Sequence, residues 1–465
     1  MNGFTRTHRQ LAKAAATTAT IFLLMAALHK IPACPFCLSP PQTLAEQISR
    51  ADIVLIAELL RFRVYDEGTR PESTLRIREY VRGAAVATTR RELAVGQAIV
   101  IAVEATGKPG DLFLMYGDLL SSSSEPTATF AAETQPLSAP GDSETSGVVS
   151  AVLNLDSPDD LVPAIQKTSL VIPEFITWNE TLAVSNDVVS YLRKMPSTSI
   201  PQAKRLEYFL PHLEHVDPLV AIDAWAEFGN SSYNDVVAVR NLMSPEHLRA
   251  WIADPRMSPE RLGLYGMMLG LSGTPADAEF LLQQMCSEGQ MTIEATADAR
   301  KSFRFGAEGL MGGYLLLTGE PGLQHLEKVI VLTRDMPDTA CHAFVQSLQF
   351  IWSYESDVVS QSRIQQSMRL LLKDESMREI AITNLSRWED WETLSTLITM
   401  FNGECADDRS TQKAILHFAQ TCAKNSKNKA ETLEYANDAE LFLCEVHATR
   451  PELLTANVRE FQAPQ

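Results

Sequence analysis

Two cysteines separated by two residues, in Cys34-Pro35-Phe36-Cys37, form the most chemically suggestive pattern in this sequence. A redox-active pair of this spacing needs its first cysteine at the N-terminus of a helix that follows a strand, where the helix dipole lowers the thiol pKa. An apolar segment precedes Cys34 instead. A c-type haem would need histidine in place of Leu38, and a zinc site would need two further ligands. The pattern therefore favours a structural disulfide, either within the pair or to the helical half of the chain, or a lipid on Cys34.

Two histidines, His212 and His215, lie three residues apart at the end of a predicted helix. Residues at that spacing share a helix face and could bind a metal ion. A metalloprotease helix needs a four-residue spacing, and Glu214 is in the wrong order for it. A commoner explanation for the two histidines, which lie beside Asp217, is that polar residues at a helix C-terminus interact favourably with the helix dipole. We expect no metal at this position.

Cysteines and histidines also recur near the end of the chain. The seven cysteines are an odd number, which leaves at least one thiol unpaired or modified. Cys444 and His447 share a helix face, but His417 and Cys422, five residues apart, do not align on one, so we predict no metal site. For Cys422 and Cys444 two alternatives stay open: a disulfide that joins two terminal helices, or buried free thiols.

Glycines recur at helical spacing in two segments, Gly263, Gly266 and Gly270, then Gly306, Gly309, Gly312 and Gly313. A phosphate-binding loop would need a preceding strand and a following Lys-Ser or Lys-Thr, and neither is present. Small residues that let two helices approach closely explain both rows.

Four aromatic residues stand out in the C-terminal half: Trp352, Tyr354, Trp388 and Trp391. We interpret them as packing between helices, with a ligand groove as the alternative. No Gly-x-Ser-x-Gly elbow and no paired-carboxylate signature is found in the sequence. The sequence therefore predicts no catalytic residue, no metal and no cofactor.

The first 33 residues have the pattern of an export signal. Arg6, Arg9 and Lys13 precede an apolar run at 14–28, which is the length of a signal sequence and short for a membrane span. Cleavage near Ala33 is one outcome. The run Ile31-Pro32-Ala33-Cys34 also resembles a bacterial lipobox, which would attach a lipid to Cys34, and an uncleaved anchor is the third outcome. Each of the three predicts an extracytoplasmic protein, secreted, periplasmic or attached to the envelope.

The composition indicates a globular, acidic protein of 465 residues with a formal net charge of −18. The first 33 residues carry four basic residues and no acid, so their removal would take the net charge to −22. Such a charge repels phosphate backbones and anionic lipid surfaces. We expect no nucleic-acid partner, and membrane contact only through the N-terminal segment or a lipid on Cys34.

The hydrophobic period changes along the chain. After the capping box Thr43-Leu44-Ala45-Glu46 and a short helix, period-two or continuous apolar patterns predict strands at 52–64, 75–83, 97–104 and 111–116, with two further candidates at 148–155 and 170–178. From 202 onward the pattern is helical, and Pro245, Pro259 and Pro275 each follow a capping residue.

These elements predict an α+β multidomain chain. The predicted parts are a signal peptide at 1–33, a small antiparallel OB-like β-barrel domain at 34–180 with a flexible loop at about 121–147, and an all-α HEAT-like solenoid at 185–465. No fixed repeat period is visible in the helical part, so an irregular all-α arrangement is the alternative.

The N-terminal block resembles the netrin-like module of the tissue inhibitors of metalloproteinases. The resemblance rests on Cys34 and Cys37 after the signal, Pro40-Pro41-Gln42, the run 51–57, Val81-Arg82-Gly83, Val95-Gly96 and the run 112–117. It implies an OB-type five-stranded barrel and, after cleavage at Ala33, a Cys34 whose free α-amine and carbonyl chelate a protease zinc. The family spaces its first cysteines one residue apart, and its partner cysteines are missing here before Cys286. The barrel-then-helices order is also similar to that of uncharacterised bacterial envelope proteins with a HEAT-like helical domain.

The sequence therefore predicts an exported, non-enzymatic binding or scaffolding protein of the bacterial envelope that acts on a protein partner. Two alternatives stay open. One is a secreted metalloprotease inhibitor that uses Cys34 as its first residue. The other is an enzyme whose site is assembled only by the fold.

Overall fold

The computed structural model describes residues 34–37, 40–63, 72–89, 93–120, 170, 172–173, 175–179, 181–287, 302–333, 336–426 and 430–455. The fold class is α+β, as predicted: an antiparallel sheet of six strands in the N-terminal region is followed by many helices. The predicted export segment at 1–33, the predicted loop at 121–147 and the candidate strand at 148–155 lie outside the described residues.

The six strands are β1 (Ile53–Arg63), β2 (Glu72–Arg82), β3 (Ala98–Ile101), β4 (Leu112–Leu119), β5 (Ile176–Trp178) and β6 (Leu182–Val184). They follow the spatial order β3-β2-β1-β4-β5, and β6 also pairs with β4. All pairings are antiparallel. Strand β1 is buried on both faces at its start, because Val54 and Leu55 are each 0% exposed. Burial on both faces explains why its sequence is continuously apolar there rather than alternating.

Helices α1 (Leu44–Arg50), α2 (Ala84–Thr89) and α3 (Asn186–Lys194) accompany the sheet. The predicted capping box starts α1: the Thr43 hydroxyl accepts from the Glu46 N–H at 3.2 Å, and the Thr43 N–H donates to the Glu46 carboxylate at 3.3 Å. Buried Asp223 then links α1 to α3, since it accepts from the Leu44 N–H at 2.6 Å and from the Tyr191 hydroxyl at 2.7 Å.

The remaining helices are α4 (Gln202–Phe209), α5 (Pro218–Gly229), α6 (Tyr233–Ala238), α7 (Pro245–Ala253), α8 (Pro259–Ser272), α9 (Pro275–Gln284), α10 (Ala307–Leu326), α11 (Asp338–Tyr354), α12 (Gln361–Leu370), α13 (Arg378–Arg387), α14 (Leu394–Asn402), α15 (Arg409–Ser426), α16 (Leu433–Thr449) and α17 (Glu452–Thr455). The three predicted proline starts are confirmed at α7, α8 and α9. Proline fits the first helical position because its missing N–H would have no partner there.

Helix α10 is broken at Gly319, where φ is 60° and the backbone leaves the helical region. Only glycine adopts this conformation at low cost. Pro321 then lies at the start of the second part. The break divides the segment into two helical parts, one before and one after Gly319.

The glycine rows lie where α8 crosses α10. A Cβ on Gly266 would lie 2.6 Å from the carbonyl carbon of Gly309, and a Cβ on Gly309 would overlap the carbonyl oxygen of Gly263. Gly270 and Gly313 meet in the same way one turn further on. The backbones of the two helices are therefore in direct contact, which confirms the predicted close approach.

The described residues divide into two compact units. The sheet unit comprises 42–199 and 214–223, and the helical unit comprises the residues up to 41, 200–213 and 224–465. The sequence had placed residues 34–41 with the β domain. They belong to the helical unit, because the Cys34 N–H donates to the Gly229 carbonyl at 3.1 Å and the Asn230 side chain donates to the Pro41 carbonyl at 3.0 Å.

Helix α3 shows the reverse difference, because it belongs to the sheet unit and was predicted in the helical domain. The sequence assigned residues from 185 onward to the helical domain, but α3 lies in the sheet unit. Arg193 on this helix donates two hydrogen bonds to the Glu79 carboxylate on β2, at 2.8 and 2.7 Å. A long-range ion pair of this kind leaves no signal in a single sequence.

Candidate functional site

The Cys34–Cys37 turn is part of the helical unit. The two cysteines are paired with each other, and Cys34 is 4% exposed. The Cys34 N–H donates to the carbonyl of Gly229, the last residue of α5. The C-terminal end of a helix carries partial negative charge, which disfavours a thiolate, whereas a redox-active cysteine needs the positive N-terminal end. This geometry favours a structural role for the turn.

Phe36, at the centre of the turn, packs over the crossing of α8 and α10. Its backbone carbonyl lies against Gly263, where an added Cβ would be 2.9 Å away, and its ring tip lies against Gly312, where the distance would be 2.6 Å. The ring also contacts Phe350 on α11, with the two centroids 4.8 Å apart. The two glycines thus leave the space that Phe36 fills.

A cavity of about 430 Å³ opens beside this turn, and its lining residues are Pro35, Phe36, Glu308, Gln346, Gln349, Phe350, Trp352, Ser353, Tyr354, Arg387 and Trp388. The indole rings of Trp352 and Trp388 stack with centroids 4.5 Å apart and planes 16° from parallel. The Gln349 amide donates to the Asn384 side chain at 2.7 Å, which holds α11 against α13. Aromatic rings and a few polar groups are the usual lining of a ligand site, and the volume falls in the usual range.

Two opposite charges line this aromatic cavity. Glu308 stands in the first turn of α10, and burial raises the pKa of its carboxyl group although the Gly306 and Glu308 N–H groups donate to it. Arg387 is exposed at the end of α13. Neither side chain forms an ion pair with any residue in the part of the chain that the structure describes. Both charges are therefore available to a ligand.

The pKa of Glu308 gives a testable pH dependence. Because its pKa is raised in the folded state, Glu308 disfavours folding when it is ionised. Its contribution to the free energy of unfolding is favourable below about pH 4.3, the pKa of a glutamate in the unfolded chain. That contribution is lost as the pH rises through the pKa of Glu308 in the folded protein. Urea unfolding should therefore show Glu308→Gln more stable than the parent protein at pH 7, and the two equal near pH 3. The exposed Glu379→Gln on α13 is the control. Identical midpoints for Glu308→Gln and the parent at pH 7 would contradict the prediction.

The sheet unit has a larger cavity, of about 930 Å³, lined by parts of α1, β4, β5 and β6. Tyr116 and Trp178 line it, and neither the Tyr116 hydroxyl nor the Trp178 indole N–H has a hydrogen-bond partner among the described residues. Both atoms are shielded from solvent, however, so a ligand in the cavity could not reach them. Burial also raises the pKa of the Tyr116 hydroxyl. Exposed Arg50, Glu104 and Asp118 also line this cavity. The helical-unit cavity differs from it in its stacked pair of indole rings, Trp352 and Trp388, and we take it as the candidate site.

The two histidines singled out by spacing do not share a helix face. Helix α4 ends at Phe209, followed by a 3-10 turn at Leu210–His212, so His215 does not continue a helix face. The His212 ring nitrogen is 2.9 Å from the Tyr208 carbonyl oxygen, and the His215 ring accepts from the Asp217 N–H at 3.0 Å. No group of three potential ligands able to hold a metal occurs within the described ranges.

Cys422 and Cys444 are not joined in the structure, where both are free thiols. Cys422 is buried on α15, with its sulfur 3.5 Å from the Tyr435 carbonyl oxygen. Cys444 is exposed, because α16 buries the face that contains Phe442 and Val446. Cys444 lies two residues from each of these, on the opposite side of the helix.

The aromatic residues named from the sequence have two different roles. Trp352, Tyr354 and Trp388 line the cavity, whereas Trp391 is buried and its ring meets Phe418 edge-on at 5.3 Å. Glu308 and Arg387 were not predicted. The only sequence signal for Glu308 was its position between Gly306 and Gly309 in a glycine row, and Arg387 had none beyond its neighbour Trp388.

No family model, curated protein or solved structure matches this chain. Within the described residues, no helix combines the length and the apolar character that crossing a membrane requires.

Proposed function

We propose that this chain is an exported, non-enzymatic binding protein of the bacterial envelope whose partner enters the helical-unit cavity. One observation carries the binding role: an aromatic cavity of about 430 Å³ is lined by a carboxylate and a guanidinium, neither of which forms an ion pair among the described residues. The basic and apolar pattern of residues 1–33 supports export.

We also propose the finer architecture predicted from the sequence, an OB-like barrel and a HEAT-like solenoid. The strand order β3-β2-β1-β4-β5 supports the barrel, because an OB barrel opened between its third and fifth strands has this order. Contacts between successive helices from α10 to α13 support stacked helix pairs.

The inhibitor alternative fits the geometry less well. A chelating first residue needs an exposed amine and carbonyl, but Cys34 is 4% exposed and its backbone N–H donates to Gly229. A lipid on Cys34 and a disulfide to Cys37 exclude each other, because both use the same sulfur atom. A disulfide-bonded Cys34 therefore supports ordinary cleavage or an anchor over lipidation.

Site-specific photocrosslinking during export tests the proposal. A photoreactive phenylalanine derivative would replace Gln346, an exposed residue of the cavity, and in a matched variant Glu379, an exposed residue away from it. We expect the protein in the envelope fraction without residues 1–33, and an adduct at position 346 that Trp352→Ala abolishes. A cytoplasmic protein with its N-terminus intact, or equal adducts at both positions, would contradict the proposal.

A further inference from the structure

The two free charges of the helical-unit cavity belong to different helices. Glu308 extends from α10 and Arg387 from α13, and α11, between them in the chain, contacts both helices. They are not paired with each other, since no ion pair joins them within 4.0 Å. One cavity therefore presents a negative and a positive group, separated by more than an ion-pair distance, with aromatic rings in the same lining.

We infer that this cavity binds a zwitterionic ligand, namely a short peptide with a free ammonium and a free carboxylate. This rests on the proposed binding function and specifies its ligand class. The ammonium pairs with Glu308, and the carboxylate pairs with the planar guanidinium of Arg387, a geometry that carboxylates match well.

The aromatic lining supports the same ligand. An ammonium group is attracted to aromatic rings, and the lining contains Phe36, Trp352, Tyr354 and Trp388. Apolar side chains of a peptide gain from contact with the same rings. A volume of about 430 Å³ is near the lower end for ligand sites, which suits two or three residues rather than a folded segment.

The raised pKa of Glu308 is consistent with a role in binding the ammonium group of the ligand. A half-buried carboxylate without a counter-charge costs free energy, and a bound ammonium would supply the counter-charge that the fold leaves out. A ligand that carried only a negative charge would be repelled by Glu308, and one that carried only a positive charge would be repelled by Arg387. A zwitterion satisfies both groups at once.

Calorimetric titration of the purified full chain at pH 7 tests the ligand class with three probes: the dipeptide Phe-Ala, its N-acetylated form and its C-terminal amide. We expect Phe-Ala to bind about tenfold or more tightly than either blocked form, because each blocked form leaves one protein charge without a partner. In Glu308→Gln the preference for the free ammonium should disappear while the preference for the free carboxylate remains. In Arg387→Gln the preference for the free carboxylate should disappear while the preference for the free ammonium remains.

Matched controls are Glu379→Gln and Arg409→Gln, which change exposed residues outside the cavity lining and should leave all three affinities unchanged. Folding is checked by the unfolding midpoint, which Glu308→Gln should raise at pH 7. Equal affinities for the free and blocked dipeptides, or no binding of Phe-Ala at millimolar concentration, would overturn the inference. If adducts still formed at position 346, the binding function would stand and only the ligand class would fail.

Discussion

Replacing Gly309 with alanine should lower the free energy of unfolding of the helical unit by about 3 kcal/mol. The new Cβ would overlap the carbonyl oxygen of Gly263 and lie 2.5 Å from its Cα. Both obstacles are backbone atoms of α8, so no side-chain rotation can relieve the overlap. The two helices would have to separate along a crossing that also includes Gly266 and Gly313. Urea unfolding followed by far-ultraviolet circular dichroism measures the loss.

Ser395→Thr is the matched control for this change. It also adds one methyl group to a helical residue, but Ser395 is exposed on α14, so the new methyl group meets solvent. We expect a change below about 1 kcal/mol there. Equal losses in the two variants would show that the α8–α10 crossing tolerates a methyl group and that its glycines are not required.

The same crossing connects stability to the candidate site. Gly312 forms part of the space that holds Phe36, and Glu308 lies one residue before Gly309 at the start of α10. A separation of α8 from α10 would therefore displace two parts of the cavity lining. We expect Gly309→Ala to lose dipeptide binding even at temperatures where it remains folded.

Local features of this fold could be predicted from the sequence because they depend on neighbouring residues. The start of α1 follows from Thr43 and Glu46, and the close helix approach follows from the spacing of Gly263, Gly266 and Gly270. The break in α10 similarly follows from Gly319 and Pro321. In each case the relevant physics acts within one or two helical turns.

Features that depend on distant partners could not be predicted. Cys34-Pro35-Phe36-Cys37 precedes the first strand, and nothing near it indicates that Phe36 packs on helices more than 200 residues away. Glu308 and Arg387 become a candidate site only because α10 and α13 both contact α11. The exposure of Cys444 depends on which face of α16 the neighbouring helix covers.

Removing Glu227 should destabilise the helical unit by about 3–5 kcal/mol, because it leaves the charge of Arg205 buried without a partner. The side chains of Arg205 and Glu227 are 7% and 2% exposed, and a hydrogen bond of 2.7 Å joins them. Gln202 completes the network, accepting from Arg205 at 2.7 Å and donating to Glu227 at 3.2 Å. The Nε of Arg205 has no partner among the described residues even in the intact network, so loss of Glu227 leaves two of the three guanidinium nitrogens unpaired.

The neighbouring pair on the same helix provides the control for Glu227→Ala. Lys204 and Glu207 are 67% and 39% exposed, so Glu207→Ala should change stability by less than about 1 kcal/mol. The double variant Arg205→Met with Glu227→Leu removes both charges and should recover most of the loss, because apolar residues of similar size need no buried counter-charge. Urea unfolding of the four proteins gives the comparison. If the double variant were as unstable as Glu227→Ala, the loss would come from packing of the Glu227 side chain and not from the unpaired charge of Arg205.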